Sequence, residues 1–466
     1  MQTKDEITCI APTGFLGYGF SFDDFKRAVN ETKPDFLAVD AGSTDPGPYY
    51  LGSGDSFTTY ETVKQELELI IGVALKNDIP FIIGSAGGSG GRPHVDWTLN
   101  IIRAISKENK WSLPIATIDG EIDKDTLSEW VEQNRIKEFD SSEPLTINDV
   151  KETERIVAQM GMEPIIEALK SDAKVIVCGR AVDDAVFAAF PVMNGFNKGL
   201  STHMGKILEC GALASEPISM DVMIGRIRDN HFTLEPGADH RACTVTSVSS
   251  HSLYEREDPI IQAGPGGSIS LENTNVEQVS DRVVKVSNTE FIEDEKYHIK
   301  LEGVKKAGHR TICIAGVHDP IMIKNIDNIL DRLRKRANNY MERMNYGACD
   351  INFHVYGKDG VMKQFEPLKN PINHELGIVI DVVAETQEKS KAVCHEISGK
   401  FMHMDFPNQY NNAGNLAFLY SPSEIYVGEV YTFNVYHLAE IDDPCAPFPI
   451  KVSYIENGEV KKEVNL

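Results

Sequence analysis

The chain has 466 residues, 41% of them hydrophobic, and a formal charge of −24. That length holds two or three domains with sizeable cores, and the acidic excess argues against general binding to nucleic acid, which needs Lys and Arg to displace phosphate counterions. No apolar run reaches the ~18 residues of a membrane span, the first residues run into a strand with no signal peptide, and the eight cysteines contain no Cys-x-x-Cys pair, so a cytoplasmic protein with reduced core thiols and no membrane or nucleic-acid partner is expected.

Four apolar runs open the chain, at residues 7–11, 36–39, 79–83 and 174–177, and each ends in a glycine-rich turn. Continuous apolar runs of this length suit strands buried on both faces, as in a parallel sheet covered by helices. Helical patterns at 62–76, 96–108, 125–134 and 153–169 alternate with them, and another follows at 202–213. This βαβ texture predicts an α/β domain on an open, mostly parallel sheet over residues 1–347. Within it, residues 222–299 break into short strand-like segments with Gly, Pro and Asn turns, which reads as a β-rich insertion. A strand at 310–316 and a long helix at 320–345 return to the α/β texture. Residues 348–466 then show strands at 350–356 and 375–384, a helix at 388–402 and a strand at 429–437, a pattern that predicts a ferredoxin-like α+β domain.

The four turns are where the chemistry is expected, because loops at the carboxyl ends of parallel strands lie along one sheet edge. Gly14-Phe15-Leu16-Gly17-Tyr18-Gly19 has the glycine density of a nucleotide loop but the wrong order, so a nicotinamide dinucleotide is disfavoured. Gly84-Ser85-Ala86-Gly87-Gly88-Ser89-Gly90-Gly91, followed by Arg92 and His94, offers backbone donors and an arginine for a phosphate or carboxylate, or else marks two elements in close approach. It lacks the Lys-Ser/Thr ending of a P-loop. Asp40 and Asp45 flank Gly42-Ser43-Thr44, where they could bind a divalent cation such as Mg²⁺, do acid–base work, or cap the turn. In Cys178-Gly179-Arg180-Ala181-Val182-Asp183-Asp184, Arg180 is expected to clamp a carboxylate. His203, His251 and His309 are candidate proton carriers, His309 the best of them because it opens an expected strand. No Cys/His spacing suits zinc. The expected site therefore has Asp40, Asp45 and His309 as catalytic groups and Gly17, Gly19, Gly87, Gly88, Arg92, His94 and Arg180 as substrate-binding groups.

These turns, together with the run at 244–259 containing Ser250-His251-Ser252-Leu253-Tyr254-Glu255, the turn Gly264-Pro265-Gly266-Gly267 and the segment Lys300-Leu301-Glu302-Gly303, give a chain that resembles the acyclic terpene utilisation protein A (AtuA) family over most of residues 5–345. That family takes its name from bacterial gene clusters that degrade acyclic terpenes as CoA thioesters, so the resemblance implies carbon catabolism. It brings no established catalytic residue with it, and the site above rests on the residues themselves. The expected function is a lyase, a hydratase or C–C lyase, acting on a branched carboxylate or its CoA thioester. The alternative is a non-catalytic ligand-binding subunit of a carboxylase or lyase complex. A homo-oligomer is expected in either case.

Overall fold

The computed structural model describes residues 4–43, 46–140, 142–369, 373–410, 415–419 and 421–466. Its strands form one eleven-stranded sheet, one of seven strands and one of three. The centre of the large sheet is five parallel strands in the order Ile7–Ala11, Phe36–Asp40, Phe81–Gly84, Val175–Cys178 and Ser112–Ile118. Their side chains alternate between two cores. Ile7, Cys9, Phe36, Ala38, Ile82, Ile176 and Cys178 pack on one face with the helices Met162–Leu169, Ala185–Met193 and Lys198–Leu208. Ile10, Leu37, Val39, Phe81, Ile83, Val175 and Val177 pack on the other with the helices Phe22–Thr32, Tyr60–Asn77 and Arg92–Asn109. Burial on both faces is why these strands read as unbroken apolar runs.

The sheet is mixed as a whole, because antiparallel strands extend the parallel centre on both sides. Met223–Arg228, His231–Pro236, Val284–Ser287 and Asn275–Gln278 add to the first strand. Ile450–Glu456 and Glu459–Asn465 add to Ser112–Ile118. Much of the region 222–299 is thus an extension of the main sheet, while Ile261–Gly264, Gly267–Ser270 and Glu290–Glu293 form the three-stranded sheet. The single helix expected at 153–169 is instead a strand, Arg155–Ala158, and a helix, Met162–Leu169, parted at Gly161.

The chain forms two compact units, residues 1–305 with 433–466, and residues 306–432. These divisions differ from the single boundary expected at 347/348. Ile326, Ile329, Leu330, Leu333, Ala337 and Met341 of the helix Ile326–Met344 are buried in the second unit's core, and the strands after residue 449 complete the first unit's sheet. The second unit runs strand, helices, strand, strand, helix, strand. Its members come from Tyr297–Val317, Ile326–Met344, Asp350–Tyr356, Leu376–Ala384, Gln387–Met402 and Glu424–Ile441. The two long strands, Tyr297–Val317 and Glu424–Ile441, are each shared between the units. No described helix is long and apolar enough to cross a membrane.

Gly90 has φ +68°, and a Cβ there would lie 2.3 Å from the Arg180 backbone nitrogen. Gly399, in the helix Gln387–Met402, has no atom within 4 Å of an added Cβ. Gly90→Ala should cost roughly 2 kcal/mol or more, whereas Gly399→Ala should be neutral or stabilising by about 0.5–1 kcal/mol. Chemical denaturation of both variants checks the contrast, and equal midpoints would contradict the close approach.

Candidate functional site

A ladder of backbone hydrogen bonds draws the glycine-rich turns together at the carboxyl ends of the parallel strands. Leu16 N–H donates to the Asp40 carbonyl (3.1 Å), and Ala41 and Ser43 N–H donate to Gly84 (3.0 Å) and Gly88 (3.1 Å). Ala86 N–H donates to Cys178 (3.0 Å) and Arg180 N–H to Gly90 (3.1 Å). The helix after Phe81–Gly84 covers one face and the helix after the neighbouring Val175–Cys178 covers the other. Such a reversal is where open α/β sheets leave a ligand crevice, and Ser85 and Arg180 sit at its two lips.

The groups expected to hold a substrate anion are largely occupied by the chain's own carboxylates. Gly17 and Gly19 N–H donate to the two oxygens of Glu66 (2.7 and 2.8 Å), a buried residue of the helix Tyr60–Asn77. Burial raises the Glu66 carboxyl above its ordinary value, and the two amides pull it back. At the start of the helix Arg92–Asn109, Glu121 accepts the Arg92 N–H (2.8 Å), while the Arg92 side chain pairs with Asp119 (2.8 Å) and Asp123 (3.0 Å). Gly88 gives its N–H to the Ser85 carbonyl and Gly87 accepts from Phe57. His94 is fully buried, with Nε2 3.0 Å from the carbonyl oxygens of Tyr50 and Asp55; burial lowers its basicity, so it serves as a neutral donor bracing that turn. The chain's own acids thus meet the amides of Gly17, Gly19 and Arg92, while Gly87 and Gly88 are taken up in backbone hydrogen bonds.

Arg180 follows the same rule. Its Nε donates to Glu302 (2.9 Å) and its Nη1 to Ser85 Oγ (3.2 Å), and both charged partners are buried. Lys300 and Gln159 also hold Glu302, each at 3.1 Å. Burial would raise the Glu302 carboxyl, but Arg180 and Lys300 outweigh it and hold the acid ionised. Arg180 therefore clamps a carboxylate of its own chain.

A second, deeper group of acids has fewer or shared partners. Asp40 is buried, and the only hydrogen bonds its carboxyl receives among the described residues come from Gly42 N–H at 3.2 Å. Burial, reinforced by Asp183 and Glu209, pushes its carboxyl well above the usual range against the pull of Arg180. Asp184 opens the helix Ala185–Met193, and Glu209 follows the helix Lys198–Leu208. Burial pushes each of them to about 7, with Lys206 opposing. Lys206 Nζ pairs with Glu209 (2.6 Å) and Glu255 (3.2 Å). Burial works against its charge, but Glu209 and Asp183 keep the ammonium above its ordinary value. Carboxyls poised near neutrality beside a fixed cation are the equipment of general acid–base chemistry.

Of the expected catalytic groups, the structure places Asp40 in this cluster. Asp45 lies outside the described residues. His309 belongs to the second unit, in the middle of the long strand Tyr297–Val317, where Nδ1 meets the Glu385 carbonyl at 3.0 Å. His203 is a satisfied core histidine, with Nδ1 on Thr289 (2.8 Å) and Nε2 on Ser252 (2.9 Å), and burial lowers it to about 3. Among the described residues no three His, Cys, Asp or Glu side chains are arranged to hold a metal ion. Sequence reasoning missed Lys206 and Glu209. Their signal was two opposite charges at i and i+3 inside the otherwise apolar stretch 204–214, where a surface pair would be flanked by polar residues.

Compared with known proteins, residues 14–407 match the family described as acyclic terpene utilisation family protein AtuA. No curated protein and no solved structure matches the chain.

Arg180→Ala would leave Glu302 buried without its main partner, so a loss of about 3 kcal/mol is expected. A denaturation midpoint close to wild type would show that Arg180 is dispensable to the fold. For Asp184 and Glu209 the folded value lies above the unfolded value of about 4. The folded chain then binds more protons between about pH 4 and 7, and its stability falls as pH rises through that window. Asp184→Asn should flatten this fall, measured as melting temperature from pH 5 to 8. Parallel curves for the variant and wild type would show that Asp184 ionises as freely folded as unfolded.

Proposed function

The chain belongs to the acyclic terpene utilisation family, and from that premise we propose that it is a catabolic lyase, a hydratase or C–C lyase, acting on a branched organic acid or its CoA thioester. The observation that carries this reading is the buried set of Asp40, Asp184, Glu209 and Lys206 beside the turns that end the parallel strands. In a hydratase or retro-aldol C–C lyase, an ionised carboxylate first accepts a proton, from the carbon beside the carbonyl or from a β-hydroxyl. Glu209 or Asp184, each poised near neutrality, suits that step. The Lys206 ammonium would stabilise the negative charge that develops on the carbonyl oxygen. Asp40, whose carboxyl burial pushes well above the usual range, would supply the proton that the leaving hydroxyl or the product enolate needs. Divalent-cation assistance is not required by this scheme.

A second reading, a non-catalytic ligand-binding subunit of a carboxylase or lyase complex, is favoured by one observation: the cavity of about 500 Å³ lined by Arg92, Asp96, Arg103 and Asp119 has none of Asp40, Asp184, Lys206 or Glu209 in its lining. We also read the second unit as ferredoxin-like, from its strand-helix-strand-strand-helix-strand order and the strand sequence Asp350–Tyr356, Leu376–Ala384, Tyr297–Val317, Glu424–Ile441 across its sheet.

The test is proton exchange in D₂O, followed by NMR, with the purified chain and a panel of branched hydroxy acids and their CoA thioesters. Exchange beside the carbonyl, lowered about 10²–10⁴-fold in Glu209→Gln with the fold intact, is expected. Neither exchange nor turnover on any member of the panel would favour the subunit reading.

A further inference from the structure

The run at 244–259, one of the segments that carry the family resemblance, ends in a buried cation with nothing to hold. All three guanidinium nitrogens of Arg256 are buried and have no hydrogen-bond partner among the described residues. A guanidinium carries five donors in a rigid fork, and burying them unmet is strongly unfavourable. The two acids that act on Arg256 are Asp184 and Asp258, yet neither is ion-paired with it. Asp258 instead accepts the Ile260 (2.7 Å) and Ile261 (3.0 Å) N–H groups. Arg92 and Arg180, by contrast, are each closed by carboxylates of the chain itself.

Arg256 is not the only unmet group on these elements. Nε2 of His251, Oγ1 of Thr202 and Oε1 of Gln262 are likewise buried without partners among the described residues. Thr202 and Asp184 are 6% and 8% exposed, and with Gln262 they line one cavity closed by the turn at Gly264 and Pro265. Its volume, about 20 Å³, has room for a water or the end of a small polar group. The guanidinium of Arg256 lies outside that lining, and its own buried, unpartnered donors call for a polar guest.

We propose that Arg256 is the recognition group for a carboxylate of a small organic acid, which would take the hydrogen bonds that its buried guanidinium lacks. The inference deepens the lyase reading and rests on it for the identity of the guest as substrate. A carboxylate is preferred to a phosphate because the surroundings already hold Asp183, Asp184, Glu209 and Glu255 against Lys206 and Arg256. A singly charged guest is tolerated there better than a dianion. The guanidinium fork matches both carboxylate oxygens at once, which an ammonium does not.

The experiment compares the full chain with Arg256→Met and Arg256→Lys, using acetate, isobutyrate, 3-hydroxy-3-methylbutyrate and inorganic phosphate as probes in calorimetry and thermal melting. At least one carboxylate should bind wild type and raise its melting temperature, with affinity about tenfold or more weaker in Arg256→Met. Without ligand, Arg256→Met should melt no lower than wild type, because the variant removes a buried charge that has no partner. Equal carboxylate binding by wild type and Arg256→Met, a wild type that no carboxylate stabilises, tighter Arg256-dependent binding of phosphate, or a ligand-free Arg256→Met that melts several degrees lower would each overturn the proposal. Carboxylate binding through Arg256 with no proton exchange would sink the lyase reading and leave this one standing. Exchange that persists undiminished in Arg256→Met would do the reverse.

Discussion

The backbone contact among Gly90, Gly120 and Gly179 is the constraint on which the rest of the first unit's loop edge depends. A Cβ on Gly90 or Gly120 would lie 2.3 or 2.5 Å from the Arg180 nitrogen, and one on Gly179 would lie 2.4 Å from the Gly120 nitrogen. These residues follow three neighbouring strands, and neighbouring strands run only ~4.8 Å apart. Their turns can continue side by side only if no side chain stands between them. The ladder continues past the strand ends through Gly179 N–H on Ile118 (2.7 Å) and Arg180 N–H on Gly90 (3.1 Å). Fixing Arg180 in this way fixes Glu302 and Ser85 through its side chain, and it sets the start of the turn that carries Asp183 and Asp184.

A second physical theme follows from the acidic composition. With a formal charge of −24, the chain has more carboxylates than cations, and its buried donors are mostly claimed from within. Glu66 takes the amides of the first glycine turn, Glu121 takes the start of the Arg92 helix, and Glu302 takes Arg180. Each pairing neutralises a strongly polarised spot that burial would otherwise make costly. The same logic marks the exceptions. Carboxyls that find only a distant or shared cation, as Asp40, Asp184 and Glu209 do, are pushed above their ordinary values.

The two units divide the chain for equally physical reasons. Residues 433–466 return to the first unit because the strand Ser112–Ile118 would otherwise present an open edge at the side of a long sheet, and Ile450–Glu456 pairs along its full length. The helix Ile326–Met344 belongs to the second unit because its apolar stripe matches the buried faces of Leu376–Ala384 and Gln387–Met402.

Sequence alone determined the strands Ile7–Ala11, Phe36–Asp40, Phe81–Gly84 and Val175–Cys178 to within two residues, and the turns that follow them, because double-sided burial and glycine turns are written in local composition. It also offered Gly84 to Gly91 with Arg92 as an anion cradle or as a close approach of two elements. The folded chain ties Gly87 and Gly88 into backbone hydrogen bonds and pairs the Arg92 N–H with Glu121. Whether Gly17 faces a substrate or Glu66 depends on a helix some 50 residues later, and whether Arg180 is free depends on Glu302, 122 positions away. Such pairings have no local period to read. Of the buried acids, Asp40 was legible at the end of its strand, whereas the apolar flanks of Lys206 and Glu209 marked them as buried without showing that they would act on Asp184 and Asp40. Their chemistry comes from desolvation, which belongs to the folded environment and to no residue by itself.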